Sequence, residues 1–298
     1  MSQQITTSFV DQFTSTLTLL SQQKGSRLRN AVRNESQKGN KALYDQIGKT
    51  VATKITSRHQ DTPQIDTPHA RRSVNLVPSV VSDLVDEWDD VMMLTNPSST
   101  YAQTMASALG RAMDEDIIAS ATGTALTGHT GTTSTALPAG QQIAVTVGAK
   151  SGFTNGGMNI DKLIATKLIL DKNEVDPMAK RYCAVSAQQI ADLLNETEVT
   201  SRDYNNVQAL VRGEVDAFMG FEMIRLELLA LNATTDIRTC FAWSQEGLLL
   251  ALGQDISGRI TERDDKNYAT QVWCRMNIGS TRMEEEQVVE IPCDESPV

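Results

Sequence analysis

No run of apolar residues in this chain of 298 approaches the roughly 20 that a helix needs to span a bilayer. The start, MSQQITTSFVDQF, is polar and lacks a charged segment followed by an apolar block, so neither a membrane nor a secretory route is expected. Cysteine is scarce: Cys183, Cys240, Cys274 and Cys293 lie far apart with no C-x-x-C pair. Each falls in or beside a strand-like run, which argues for reduced, buried thiols rather than a disulfide framework or a metal site. The three histidines have no nearby Ser or Cys in a nucleophile setting such as G-x-S-x-G. No motif supports an enzyme, and no cofactor is expected.

Two stretches come close to a chemical motif and fall short. Residues 123 to 130, GTALTGHT, match the spacing of a phosphate-binding loop, but His129 stands where the lysine must be. The stretch also follows a helical pattern rather than a strand, so the turn that presents amides to phosphate is missing. His59, Asp61, Asp66 and His69 gather metal-ligand types in one segment. Pro63 and Pro68 spread them along an extended chain, so no metal is expected there.

What the chain has is a lengthwise division of charge. Residues 1 to 72 hold eleven Lys and Arg against five carboxylates, a net of +6, within a chain whose total is −10. The remainder therefore carries 16 basic and 32 acidic groups, a net of −16. A cationic front end joined to an anionic body suggests a chain that lies on a copy of itself, since mixed-sign surfaces steer association and fix register. A basic arm that grips nucleic acid or is merely solvated is the competing reading.

Ile5, Phe9, Phe13, Leu17 and Leu20 recur at helical spacing and draw one apolar stripe that runs to about Gln23, where Gly25 breaks it. Lys24, Arg27 and Arg29 crowd the exit, and the stripe needs a partner surface in its own body or a neighbour's. β-type patches follow in KALYDQIG, VATKITS and SVNLVPSVVSDLV. Between the last two, residues 58 to 72 read RHQDTPQIDTPHARR, with Asp-Thr-Pro twice and Ile65 alone of core size. Proline removes donors and favours extended geometry, so this is the tip of a long hairpin or an exposed loop. Asn96 and Pro97 open a helix in which Tyr101, Met105, Leu109, Met113 and Ile117 recur at spacing four, with Gly123 as its stop. Ala102, Ala106, Ala108, Gly110 and Ala112 let it lie close to a neighbour, while Arg111, Asp114 and Glu115 are expected to stay polar.

Residues 122 to 157 read as loops around one strand in QQIAVTVGA. Helices are then expected at 160–171, 187–195 (capped by Ser186) and 205–212, with strands at 181–185 and 221–228, an α/β subdomain. The end is β-rich: CFAWS, GLLLALG, ISGRITE, YATQVWCRMNIGSTRM and QVVEIPC. Val272, Cys274, Met276 and Ile278 alternate with polar neighbours as in a half-buried strand, and Arg282 with Glu284, Glu285 and Glu286 reads as a solvated turn.

The stretches SQQKGSRLR, YDQIG, SRHQDTP, DTPHARR, LVDEWD, GRAMDEDIIAS, DLLNETEV and DKNYATQVW resemble major capsid proteins of short-tailed bacteriophages, over nearly the whole chain. The resemblance implies an α+β fold of the Hong Kong ninety-seven type: an N-terminal arm at 1–34, an extended β-loop at 35–85, a peripheral domain with a long spine helix at 86–152 and 246–298, and an α/β axial domain at 153–245. It implies intersubunit contacts from the loop tip, through Arg58, His59, Asp61, Asp66, His69, Arg71 and Arg72, with the tip itself at 61–69. The arm would contribute contacts through Phe9, Phe13, Leu17, Leu20, Arg27 and Arg29. The chain would self-assemble, as hexamers and pentamers, into an icosahedral virion shell that encloses double-stranded DNA without reading its sequence, built in the host bacterial cytoplasm. A separate scaffolding protein is expected, and a portal or decoration protein follows from the resemblance alone. Other readings are a bacterial nanocompartment shell, a nucleic-acid-binding module and a metal-dependent hydrolase using the His59 to His69 segment.

Overall fold

The computed structural model describes residues 20–85, 98–149, 154–195, 217–266 and 268–296. In chain order the strands before the first helix are β1 (Arg33–Ser36), β2 (Lys41–Ile47), β3 (His69–Asn75) and β4 (Val77–Val85). Helix α1 (Ser98–Thr122) leads to β5 (Ala125–Thr127) and β6 (Thr133–Thr135), and α2 (Ile160–Lys172) to β7 (Arg181–Val185) and α3 (Ala187–Asn195). The remainder is β8 (Ala217–Phe218), β9 (Phe221–Arg225), β10 (Leu231–Asn232), β11 (Ile237–Ser244), β12 (Leu248–Arg263), β13 (Ala269–Arg282) and β14 (Val288–Asp294). The described residues divide into two compact units, one drawn from 1–26, 78–111 and 254–277, the other from 27–77, 112–253 and 278–298.

Helix α1 forms where the four-residue spacing placed it. Met105, Leu109, Met113, Ile117 and Ala121 are all buried, and burial of each large side chain is worth about 1.5–3 kcal/mol. Gly123 ends it by donating its N–H to Ala119 O at 3.0 Å. Asp114, one of the three positions expected to stay polar, is fully buried.

In the second unit the largest sheet runs β10-β11-β7-β9-β8, with β14 on β11. All of β7 is buried, and α2 packs against β14. The step from β7 to its parallel neighbour β9 passes through α3, the crossover that parallel strands require. The expected division put 246–298 together in the peripheral domain, but β14 pairs along β11 from Ile237 to Trp243 and so belongs to this sheet. Its alternation of buried and half-buried residues suits a strand covered on one face by a helix. Ser186 precedes α3 and accepts the Ile190 N–H on its carbonyl at 3.3 Å. Gln189 Oε1 accepts the Ser186 N–H at 2.9 Å as in one half of a capping box, but the Ser186 hydroxyl donates to carboxyl and amide oxygens instead of capping a helix amide. Glu295 accepts from Ser186 Oγ, Gln189 Nε2 and Arg238 Nε. Burial pushes the Glu295 carboxyl up, but these donors outweigh it and hold the pKa below the usual value.

A second sheet, β2-β3-β5-β6, carries the hairpin described below. Its inner side meets the near half of β12: Ala42, Val74, Leu76, Leu249, Ala251 and Met283 form one buried cluster with Tyr44 against it. Strand β1 pairs in parallel with the same half of β12, from Arg33 opposite Leu249 to Ser36 opposite Leu252. In the first unit β4 lies at the edge of a sheet beside β13.

Several expected elements differ. The strand read in QQIAVTVGA is a turn-rich segment, and the strands of this region are β5 and β6. Thr-rich sequence favours that pair, and Gly128 and Gly131, both at positive φ, bound the turn between them. The near phosphate-loop is thus a β-hairpin, not a strand-to-helix turn. VATKITS forms no strand. GLLLALG and ISGRITE are one continuous strand, β12, and the strand expected over 221–228 ends at Arg225. The helix expected to Gln23 is absent from 20 to 28, and its earlier part, like the helix expected at 205–212, lies outside the described residues. All four cysteines are free and buried.

Candidate assembly surfaces

Strands β2 and β3 pair antiparallel from Lys41 opposite Asn75 to Ile47 opposite His69, then part into residues 48–68. Every residue from Gly48 to Pro68 except Thr67 is exposed. The chain turns at Arg58 and His59, where His59 takes a left-handed φ of 62° and Gln60 Oε1 accepts the Thr56 N–H at 3.0 Å. That turn precedes the expected 61–69, and no turn or bend falls within 60–68, in keeping with the bias of the residue before each proline against reversing. His69 opens β3, and Arg71 and Arg72 also stand in that strand, not in the tip.

The two arginines have different tasks, set by the period-two alternation of a strand. Arg71 points outward and pairs with Asp45 across the ladder; its guanidinium holds the Asp45 carboxyl below the usual carboxylate range. Arg72 points inward, in phase with buried Val74 and Leu76. Its Nε donates to Met283 O at 2.7 Å and its Nη2 to Glu285. Glu285 lies 3.9 Å from Arg282, which is fully buried. Arg282 donates in turn to Ala121 O and Gly123 O, at 2.9 and 2.8 Å, and to Thr135 O. The Arg282 to Glu286 stretch, expected to be a solvated turn, therefore locks the hairpin's root. Gln46 Nε2 adds a bond to Met283 O at 2.7 Å, and exposed Lys49 pairs with Glu174 at 2.7 Å, which raises the lysine's pKa and lowers the carboxyl's.

The front end is stitched into its own body from residue 27 onward. Asp114 accepts the backbone N–H groups of Arg27 and Leu28, and Arg27 Nη1 donates to Arg225 O at 2.6 Å. Arg29 begins a short 3-10 turn whose carbonyl accepts from Asn34. Trp243, fully buried, stacked on Tyr182 and tilted against Phe241, donates its indole N–H to Ala31 O at 2.9 Å. Leu20 is 87% exposed, and Phe9, Phe13 and Leu17 lie outside the described residues.

His59, Asp61 and Asp66 thus share the exposed loop with Arg58, His69 stands at its root, and among the described residues no group of three or more His, Cys, Asp or Glu side chains is placed to hold a metal. Among the described residues no helix is long and apolar enough to cross a membrane. Asp114, Arg282 and Glu285 are the residues the sequence reading missed.

The chain belongs to the phage capsid protein family, whose model matches residues 5–295. It is a structural protein of a virion shell. No curated protein matches it. Its fold is that of the capsid of cyanophage P-SCSP1u, at a TM-score of 0.75 with 20% identity over 96% of this chain and 93% of that one. The capsid of Ralstonia phage GP4 gives 0.73 with 10% identity over 98% and 97%, and Mycobacterium phage Che8 gives 0.68 with 17% identity over 95% and 97%. The family favours the virion shell over the nanocompartment and nucleic-acid-binding readings.

Proposed function

We propose that copies of this chain close, as hexamers and pentamers, into an icosahedral shell around double-stranded DNA, with residues 48–68 and the arm reaching neighbouring copies. The loop carries the reading. A segment whose residues are nearly all exposed, with Val51, Ile55 and Ile65 among them, rises from a root fixed by buried charge. A solitary domain has little reason to fix so firmly the base of a segment that buries almost nothing. Individual contacts can be weak because a closed shell multiplies them. The first 19 residues would extend the arm across a neighbour, through Phe9, Phe13 and Leu17.

Assembly would take place in the host bacterial cytoplasm with a separate scaffolding protein, and a portal or decoration protein would join the shell. The acidic body, at −16 beyond residue 72, would keep the shell from sticking to packaged DNA. The test is electron microscopy of particles from producing cells, beside a variant in which residues 51–66 become a short Gly-Ser turn. That replacement spares β3 and Arg72. Closed shells for the parent and none for the variant are expected; shells of equal yield from both would refute the loop's role.

A further inference from the structure

We propose that the cleft on the outer face of β2 and β3, beside the turn between β5 and β6, binds a phosphate group through Arg71, His69 and His129. The inference does not depend on the shell reading. The first observation is a convergence of scarce residues: two of the chain's three histidines line one cavity of about 440 Å³, together with Asp45, Arg71, Thr127 and Gly128. Strand period and register bring them there. Asp45 stands opposite Arg71 and Ile47 opposite His69, so His69 and Arg71, two apart on β3, share one face. Thr127 pairs with Arg72, which carries the turn at Gly128 and His129 to the side of Arg71.

The second observation is how the donors are held. Arg71 gives Nε to Asp45 and Nη1 to His129 O at 3.2 Å, and among the described residues its Nη2 has no acceptor. The guanidinium is thereby fixed before any ligand arrives, which spares a bound anion the cost of ordering it. Both imidazoles are exposed, and both add to the Arg71 hydrogen bond in lowering the pKa of Asp45, so they stand within electrostatic reach of the same carboxylate. Among the described residues no other carboxylate lines the cavity. Lys41 on β2 holds the far side of the turn through Thr130 O, and Arg72 turns inward to Glu285.

Chemistry selects the ligand. A metal cation would face the Arg71 guanidinium, and the one carboxylate is already engaged by it. Arg71 and Asp45 cancel, so the charge of the cluster is set by the two imidazoles and rises by one with each proton they take up. Tetrahedral phosphate, with oxygens on every side, can accept from donors that approach from a strand and a turn. The stretch GTALTGHT finds its place here: it forms no phosphate loop, but the histidine that replaces the loop's lysine ends beside Arg71. The cavity has room for more than a bare phosphate, so inorganic phosphate and a nucleoside monophosphate share the chemistry.

The test is equilibrium dialysis of the purified full-length protein against radiolabelled inorganic phosphate at constant ionic strength. Saturable binding that approaches one ion per chain is expected. His69→Gln together with His129→Gln, both at exposed positions, is expected to weaken it about tenfold, and Arg71→Gln by at least as much, the scale of a charge-assisted hydrogen bond. Labelled sulfate stays a dianion between about pH 6 and 8, so it reads the protein's own titration. The parent is expected to bind sulfate several-fold tighter at the acid end, and the double-histidine variant equally at both ends. Competition by deoxyadenosine monophosphate assigns the source: displacement at a lower concentration than inorganic phosphate points to a nucleotide, and displacement at the same or a higher one to the free ion. Binding that does not saturate, or that both variants leave unchanged, would overturn the site. So would a sulfate trend that survives in the double-histidine variant.

Discussion

The carboxylate of Asp114 accepts the backbone N–H of Leu28 at 3.1 Å, with both residues fully buried, and so fixes where the front end of the chain enters the fold. Its other oxygen takes the Arg27 N–H at 3.0 Å. Asp114→Ala would leave the Leu28 amide without a partner where water is excluded and the part-buried Arg27 amide to solvent, at a cost of about 1–3 kcal/mol. Asp114→Asn keeps one acceptor oxygen and is expected to lose about half as much. Urea unfolding measures the loss, and amide exchange at residues 27 and 28 localises it.

Gly110 poses the opposite test, because helix propensity and packing disagree there. Alanine is better than glycine in a helix interior by about 1 kcal/mol. A Cβ at 110, however, would stand 2.6 Å from Gly25 Cα and 2.8 Å from Ser26 N, both backbone atoms. Gly25 itself sits at φ +70°, so this crossing has little freedom to move. Gly110→Ala is expected to destabilise despite its propensity, whereas Gly140→Ala, with nothing within 4 Å of the added carbon, is expected to be close to neutral. Thermal unfolding of the two variants decides whether packing outweighs propensity.

Small residues along α1 announced that close crossing in the sequence. So did much else that follows from local period: the span of α1, the bounds of β7 and α3, and the alternation of Val272, Cys274, Met276 and Ile278. The same alternation, carried on by two more steps, places Ser280 and Arg282 on the inner face, and it places Arg72 in phase with Val74 and Leu76. The change from apolar to charged residues hides both positions in the sequence. A buried charge is legible only when its partner is known, and Arg72, Glu285 and Arg282 are brought together by chain folding over some 200 positions. The failed strand at 51–57 has a related cause, since a strand needs a partner as well as a suitable sequence, and this one finds none among the described residues of its own chain.

Glu285 sits between two buried arginines, so removing it should cost more than a surface pair is worth. Glu285→Leu leaves the Arg72 guanidinium buried beside a missing carboxylate, and about 3–5 kcal/mol of stability is expected to go with it. Arg72→Met alone is expected to cost a similar amount. The double variant replaces the pair with apolar side chains and is expected to recover about 1–3 kcal/mol relative to the sum of the singles. A double-mutant cycle by chemical denaturation measures that coupling; simple additivity would mean that Arg72 is held by Met283 O and packing alone.

Asp116 gives a dependence on pH whose sign is fixed by burial. Its half-buried carboxyl is pushed up by loss of solvent, with Ser280 Oγ, 3.0 Å from Oδ2, only partly opposing the shift. The folded chain therefore holds this proton more tightly than the unfolded chain does. The stabilisation that results is complete below the ordinary carboxylate pKa of about 4 and is lost as pH rises through the raised folded value. Asp116→Asn still offers Ser280 an acceptor but cannot ionise. Its stability relative to the parent should be near zero at the acid end, climb across that window and level off above it as a gain. Glu290, raised by burial as well, tilts both proteins alike and cancels in the difference. Paired urea titrations between about pH 3 and 8 read the difference directly. A gain that shrank as pH rose would mean that folding lowers the pKa of Asp116, which would require a cationic partner that the Ser280 contact does not supply.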